Sequence, residues 1–133
     1  MSRRLKYMRR PNQTVVAVQI SLDTPGFRYR KWGAWQRCRR GDWLVDNDGD
    51  VYTVNRDSFA RTYRRKALGR YLKITPVWAE AATKPGSVST KEGVTHYGAG
   101  TYIVFNEKSG GDGYAVSAAK FHKMYVRARR ART

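Results

Sequence analysis

One short sequence pattern occurs twice in this chain of 133 residues and limits the folds open to it. The first copy contains Gly41-Asp42-Trp43-Leu44-Val45, Tyr52, Phe59 and Tyr63, and the second contains Gly100-Thr101-Tyr102-Ile103-Val104, Tyr114, Phe121 and Tyr125. In both copies the phenylalanine follows the first tyrosine by seven residues and precedes the second by four. A copy of roughly 60 residues is marginal as an independent domain, so we predict that the two copies pack together as one pseudo-symmetric domain.

Each copy has the residue pattern of a small β unit that ends in a short helix. The β-branched run Thr14 to Ile20 predicts a strand. Asp46-Asn47-Asp48-Gly49-Asp50, between two β-prone runs, predicts a hairpin turn. Asp57 or Ser58 is expected to cap a helix that carries Phe59 and Tyr63 on one face. We therefore predict a mainly β fold of the α+β class, built from two tandem SH3-like or half-barrel units.

The same pattern divides the chain into four segments. We predict a basic N-terminal arm over residues 1–13, a first repeat over 14–66, a second repeat over 67–125 and a basic C-terminal tail over 126–133. The tail carries arginines with only small residues between them, which is typical of a disordered segment.

The charge of the chain points to a polyanionic partner. Lys and Arg number 27 against 10 Asp and Glu, for a formal net charge of +17. Such a charge repels itself in the compact state, and the usual polyanions that offset it are nucleic acid and anionic membrane surfaces. Nucleic acid is favoured, because neither basic arm alternates with bulky apolar residues as an interfacial helix would. No run of about 18 apolar residues is present to predict a membrane span, and a single cysteine, Cys38, excludes an internal disulfide and fits a reducing compartment.

The segment Phe27 to Arg40 interleaves aromatic and basic residues and carries the sharpest functional signal. Aromatic rings stack on bases while arginines contact phosphates. Trp32 and Trp35 have no clear counterparts in the second copy, so they are equally open to a core role and to a binding role. The predicted nucleic-acid-binding residues are Arg3, Arg4, Lys6, Arg9, Arg10, Arg28, Arg30, Lys31, Trp32, Trp35, Arg37, Arg39, Arg40, Arg64, Arg65, Lys66, Arg127, Arg129, Arg130 and Arg132.

No residue pattern predicts catalysis, a metal site or a cofactor. Neither His96 nor His122 stands in a pattern typical of a base beside a nucleophile, and His122 is expected to be a surface residue. Cys38 lies between two arginines, a setting that can lower a thiol pKa, but a lone cysteine in a basic loop is more often incidental. The aspartates of 46–50 suit a turn better than a calcium loop, because the glycine is misplaced and the twelfth-position Glu is absent.

A series of motifs along the first copy resembles a small module common in tailed-phage and prophage genomes. The motifs are Tyr7-Met8-Arg9-Arg10-Pro11, Val15 to Gln19, Arg40-Gly41-Asp42-Trp43-Leu44-Val45, Gly49-Asp50-Val51-Tyr52 and Phe59 with Tyr63. The similarity covers most of residues 5–63 and, in weaker form, 71–125. Members of this family mostly lack an assigned biochemical role. The resemblance implies a phage or mobile-element protein that acts in the cytoplasm of a bacterial host or is packaged in a virion.

Two hypotheses for function follow from these features. The first is a non-enzymatic, phage-type basic protein that binds DNA or RNA through phosphate contacts with aromatic stacking. The alternative is a structural virion component, or an inhibitor or adaptor that docks on an acidic surface of a host or phage protein complex. Neither hypothesis involves a membrane.

Overall fold

The fold of this chain is seen in a computed structural model that describes residues 4–111 and 113–128. Within those residues there are fourteen strands and two helices of seven residues each. The elements of the first half are β1 (Leu5–Arg9), β2 (Val15–Gln19), β3 (Phe27–Lys31), β4 (Ala34–Cys38), β5 (Trp43–Asn47), β6 (Asp50–Val54), α1 (Arg56–Thr62) and β7 (Tyr63–Ala67). Those of the second half are β8 (Arg70–Lys73), β9 (Val77–Ala81), β10 (Gly86–Ser89), β11 (Val94–Tyr97), β12 (Tyr102–Phe105), β13 (Gly113–Val116), α2 (Ala118–Met124) and β14 (Tyr125–Arg127). The predicted mainly β fold of the α+β class is confirmed.

Two five-stranded sheets reproduce the duplication. One has the order β6-β5-β2-β8-β7 and the other the order β13-β12-β9-β1-β14. All of their strand pairs are antiparallel. Each sheet holds a hairpin of the repeated pattern, then a central strand, and at its edge the strand that follows the helix. The two halves therefore share one topology.

The first strand of each half lies in the sheet of the other half. β1 pairs with β9 and β14, and β8 pairs with β2 and β7. The two repeats are therefore linked by an exchange of strands. The prediction of an arm over residues 1–13 is wrong for residues 5–9, which sit inside a sheet. The predicted tail over 126–133 likewise begins with residues of β14, while residues 129–133 lie outside the described part of the chain.

The repeated aromatic residues build a small core in each half. Phe59 stacks on Trp43 with ring centroids 4.1 Å apart, and Phe121 stacks on Tyr102 at 4.3 Å. The first core also contains Val15, Ala17 and Val45, and the second contains Val77, Ala79, Val104, Met124 and Tyr125. Phe59 and Phe121 are buried, as their role in the shared scaffold requires.

Local signals set the turns and helix ends. Asp48 and Gly49 both have positive φ in the β5–β6 turn, and Asp46 accepts a hydrogen bond from the backbone of Gly49, as the predicted hairpin requires. The cap of α1 is Asn55, whose side chain accepts from the backbone of Asp57 and Ser58. The prediction of Asp57 or Ser58 as the cap is therefore wrong, because the cap lies two or three residues earlier in the chain.

Two further hairpins, β3–β4 and β10–β11, follow the central strands of their halves and meet each other. Gln36 in β4 forms an antiparallel bridge with Gly93, and its side chain donates to the carbonyl of Val94 at 2.8 Å. The segment from Phe27 to Arg40, which shows no clear period in sequence, thus contains a regular two-stranded ribbon supported by the second repeat.

Candidate nucleic-acid interface

The exposed face of the β3–β4 hairpin carries one tryptophan and three arginines. Strand alternation places Arg28, Arg30, Trp35 and Arg37 on that face, and all four are exposed. In the register Arg28 lies opposite Arg37 and Arg30 lies opposite Trp35. The Trp35 side chain is 52% exposed, which is uncommon for so large an apolar ring. We call these four residues the hairpin face.

Positive charge on the hairpin face is not neutralised within the described part of the chain. The guanidinium carbons of Arg28 and Arg30 lie 5.1 and 5.4 Å from the centre of the Trp35 ring. None of the carboxylates of residues 4–111 and 113–128 forms an ion pair with Arg28, Arg30 or Arg37. Like charges directly opposite each other destabilise a strand pair. An anion over the face would offset this repulsion.

The other side of the hairpin is held firmly by hydrogen bonds. The Tyr29 hydroxyl lies 2.6 Å from the Thr53 hydroxyl and accepts from the Thr53 backbone at 2.9 Å. Gln36 is buried, and the backbone of Arg37 donates to the carbonyl of Glu92 at 2.7 Å. Both strands of the hairpin are therefore hydrogen-bonded to other parts of the protein.

Lys31 and Trp32 belong to the interior side of the hairpin tip. Trp32 has a φ of 55°, and its ring lies 5.7 Å from that of Tyr52. The ammonium of Lys31 forms an ion pair with Asp50 at 2.8 Å. Of the two tryptophans left open by the sequence, Trp35 is thus available for stacking and Trp32 packs at the junction of the repeats.

The remaining predicted residues of the N-terminal segment divide between surface and interior. Lys6, Arg4 and Arg10 are exposed, although Arg4 pairs with Glu80 at 3.4 Å and Arg10 donates to the carbonyl of His122. Arg9 is only 5% exposed. Its prediction as a nucleic-acid contact is wrong, because the alternation of β1 turns this side chain toward the protein interior. Arg3 lies outside the described residues.

The other predicted basic residues are spread over the surface. Arg39 and Arg40 follow β4, and Arg40 pairs with Asp23 at 3.1 Å. The edge strand β7 exposes three consecutive cations, and one more is exposed at the end of β14; these are Arg64, Arg65, Lys66 and Arg127. Arg129, Arg130 and Arg132 lie outside the described residues. The structure therefore brings together only part of the predicted set, on the hairpin face.

The structure contains a buried cluster of cations and phenols that the sequence did not predict. Arg9 and Lys73, at matching positions of the exchanged strands β1 and β8, are 5% and 3% exposed. They lie among four tyrosines of the repeated pattern: Tyr52, Tyr63, Tyr114 and Tyr125. The Tyr114 and Tyr125 hydroxyls are 2.7 Å apart. The equal spacing of the tyrosines was visible in the sequence, but the cations were not part of the repeated pattern.

Cys38 and the histidines do not form a reactive site. Cys38 is fully buried, and burial, followed by the charges of Asp42 and Glu92, raises the pKa of its thiol. The neighbouring arginines therefore do not activate it. His122 is exposed, as expected. Among residues 4–111 and 113–128, no group of three or more His, Cys, Asp or Glu side chains is placed to hold a metal ion.

Comparison of the chain with protein-family models, curated proteins and solved structures gave no match. The resemblance to a phage module therefore stays a prediction. Neither helix in the described ranges is long and apolar enough to cross a membrane.

Proposed function

We propose that this protein binds nucleic acid without strong sequence preference, and that the hairpin face is its principal contact surface. The observation that carries the proposal is an exposed Trp35 with the guanidinium groups of Arg28 and Arg30 over its ring. The arginines of this face form no ion pair with a carboxylate of residues 4–111 and 113–128. Arginines bind phosphate oxygens, and an exposed indole stacks on an unpaired base. Neither contact depends strongly on the base sequence of the nucleic acid.

The geometry favours single-stranded over double-stranded nucleic acid. An unpaired base can lie flat on the Trp35 ring, whereas a base in a duplex is already stacked on its neighbours. Arg28 and Arg30 lie over that ring and Arg37 lies on the same face. A base that displaces the two guanidinium groups from the ring would bring its phosphates beside them. The wider basic surface, including the edge strand β7, adds phosphate contacts that bind either form.

A salt series with a random single strand and a random duplex tests the proposal. Binding is followed by fluorescence anisotropy of a labelled oligonucleotide from 50 to 300 mM salt. The logarithm of the association constant should fall with the logarithm of the salt concentration by about 0.7 per phosphate contacted on a single strand, and about 0.9 on a duplex. No binding at the lowest salt, or binding independent of salt, would contradict it.

Two sets of variants locate the surface. Trp35→Ala should weaken single-strand binding about 5- to 150-fold and duplex binding much less, because only the single strand loses a stacked base. Arg28→Gln with Arg37→Gln should reduce the salt slope for both ligands. The matched control is Lys84→Gln with Lys108→Gln, which removes the same charge from exposed positions elsewhere. Equal losses of nucleic-acid affinity in the two double variants would show that binding depends on net charge and not on the hairpin face.

A second candidate function is docking on an acidic protein surface, in a virion or a host complex. Exposed aliphatic side chains on the outer face of the β2-containing sheet favour a protein partner; they are Val16, Val18, Leu44 and Val51. A protein that fails to bind either nucleic acid, but is retained by an acidic phage or host complex through Val18 and Leu44, would support this alternative.

A further inference from the structure

A cavity of about 90 Å³ lies at the junction of the two repeats. Matching tyrosines from both halves line it, and Trp32 at the hairpin tip and Asp50 lie at its half-buried side. A water molecule needs roughly 10–15 Å³ by the same kind of measure, so the cavity has room for a small polyatomic ligand. Arg9, Lys73 and the tyrosines contribute polar groups to its lining.

Arg9 brings a buried positive charge into this cavity. Its guanidinium donates to the carbonyl of Gln13 at 2.8 Å, to Asn47 Oδ1 at 2.8 Å and to the sulfur of Met124 at 3.2 Å. All three acceptors are neutral, and no carboxylate in the described ranges forms an ion pair with Arg9. A buried charge without a counter-charge is costly, and an anion beside it would offset that cost.

Lys73 and the phenols add further hydrogen-bond donors. The ammonium of Lys73 lies 3.3 Å from the Tyr114 hydroxyl. Burial raises the pKa values of Tyr52, Tyr63 and Tyr114, and nearby phenols raise them further, so these hydroxyls keep their protons at neutral pH. A protonated phenol can donate to an anionic oxygen. The walls of the cavity are therefore rich in donors around Arg9.

Two carboxylates also line the cavity, but each is already engaged by another group. Asp50 is held by Lys31 at 2.8 Å and by Lys120 at 3.8 Å. Glu92 accepts a hydrogen bond of 3.0 Å from the backbone of Asn55. Neither forms an ion pair with Arg9, so their presence does not remove the need for a negative charge at that end of the cavity.

We propose that this cavity is a binding site for one small oxyanion of the phosphate or sulfate class, held by Arg9, Lys73 and the hydroxyls of the cavity tyrosines. The site is separate from the hairpin face, and the proposal does not depend on nucleic-acid binding. A tetrahedral oxyanion offers four acceptor oxygens, which suits donors that converge from two opposing repeats.

Titration with inorganic phosphate and with sulfate, against chloride at equal ionic strength, tests the site in the full chain. The readout is intrinsic fluorescence, because Trp32 packs on Tyr52 beside the cavity. Phosphate or sulfate should produce a saturable change that chloride does not. Tyr114→Phe should weaken the apparent affinity about tenfold or more, because it removes one donor to an ion and leaves the net charge unchanged.

The matched control is Tyr71→Phe, which removes a phenol from the first core and not from the cavity lining. Equal responses of the wild type, Tyr114→Phe and Tyr71→Phe would assign the signal to surface arginines and overturn the proposal. A direct check is a crystal soaked in selenate. An anomalous selenium peak beside Arg9 supports the site, whereas peaks at surface arginines alone refute it, whatever the stability of the variants.

Discussion

The guanidinium of Arg9 donates a 2.8 Å hydrogen bond to the side chain of Asn47, and the two residues lie in different five-stranded sheets. Arg9 ends the exchanged strand β1, and Asn47 ends β5 of the first repeat. Asn47 also donates to the sulfur of Met124 at 3.0 Å. The hydrogen bond thus connects β1 to the first repeat, to which β1 belongs in sequence. It also joins the two halves across their junction.

Replacement of Arg9 by alanine should destabilise the protein strongly. The variant leaves Asn47 Oδ1 and the Gln13 carbonyl without their buried donor, at a cost of about 1–3 kcal/mol for each group. We expect the free energy of unfolding in urea to fall by about 2–4 kcal/mol. Arg10→Ala is the control, since Arg10 is exposed and its side chain donates long hydrogen bonds of 3.3 and 3.4 Å to the carbonyl of His122. Similar losses in both variants would contradict the interior role of Arg9.

Tyr7→Ala distinguishes a strand from a mobile arm. Tyr7 lies edge-on to Phe121 with ring centroids 4.7 Å apart, against the core of the second repeat. Loss of this ring should lower the free energy of unfolding by about 2–4 kcal/mol. Lys6→Ala, on the exposed side of the same strand, should change it by less than about 0.5 kcal/mol. An unchanged stability in both variants would show that residues 5–9 do not pack in solution.

Stability should decline in alkaline solution. The pKa values of Tyr52, Tyr63 and Tyr114 are raised above 10.0 in the folded state, chiefly by burial of their hydroxyl ends. These phenols stabilise the fold fully below pH 10, and this contribution is lost as pH rises above 10, because unfolded tyrosines ionise first. Tyr125 behaves differently. Burial alone would raise its pKa, but the charges of Lys73 and Arg9 and hydrogen bonds with Tyr114 and Arg9 lower the pKa below its usual value. Tyr125 therefore reduces the alkaline loss of stability.

Urea unfolding between pH 8 and 11.5 measures this decline. Each phenol with a raised pKa contributes up to about 1.4 kcal/mol per pH unit above the unfolded value. Tyr52→Phe should make the decline shallower, because it removes one phenol whose pKa burial raises. A free energy of unfolding that stays constant from pH 9 to pH 11.5 would be inconsistent with buried phenols at the junction.

Gly93→Ala tests the contact between the two hairpins. A Cβ at position 93 would collide with the carbonyl oxygen of Trp35 and lie 3.0 Å from Gln36 Oε1. We expect a loss of stability of about 1–3 kcal/mol, with weaker single-strand binding as the hairpin face shifts. Gly98→Ala is the control, because a Cβ there meets no atom within 4 Å. It should be neutral or stabilising by up to about 1 kcal/mol. Equal effects at both glycines would exclude a tight contact.

Much of the repeated scaffold follows from short-range sequence signals. The β5–β6 turn is encoded by Asp48 and Gly49, whose backbone conformations need residues that accept positive φ. The burial of Phe59 and Phe121 follows from their equal spacing and their position on a helix face. The cap Asn55 was missed by two or three positions because several residues nearby are chemically able to cap a helix.

The composition of the segment Phe27 to Arg40 is enough to predict a candidate interface there. Only the structure shows which of its residues are exposed and which are packed against the protein. Trp32 and Trp35 stand among the same basic neighbours, yet one packs on Tyr52 and the other is exposed. The positive φ of Trp32 at the hairpin tip and the register of β3 with β4 make this difference. A register shifted by one residue would reverse the two faces.

The sequence by itself determined the duplication, the mainly β class, the hairpin turns and the excess of positive charge. These properties depend on residue identity and on spacings of a few positions. Only the tertiary structure decided that β1 leaves its own repeat to pair with β9 and β14, because that choice rests on contacts between residues far apart in the chain. The same exchange turns Arg9 inward, and converts one predicted surface contact into a buried charge beside the tyrosines of both repeats.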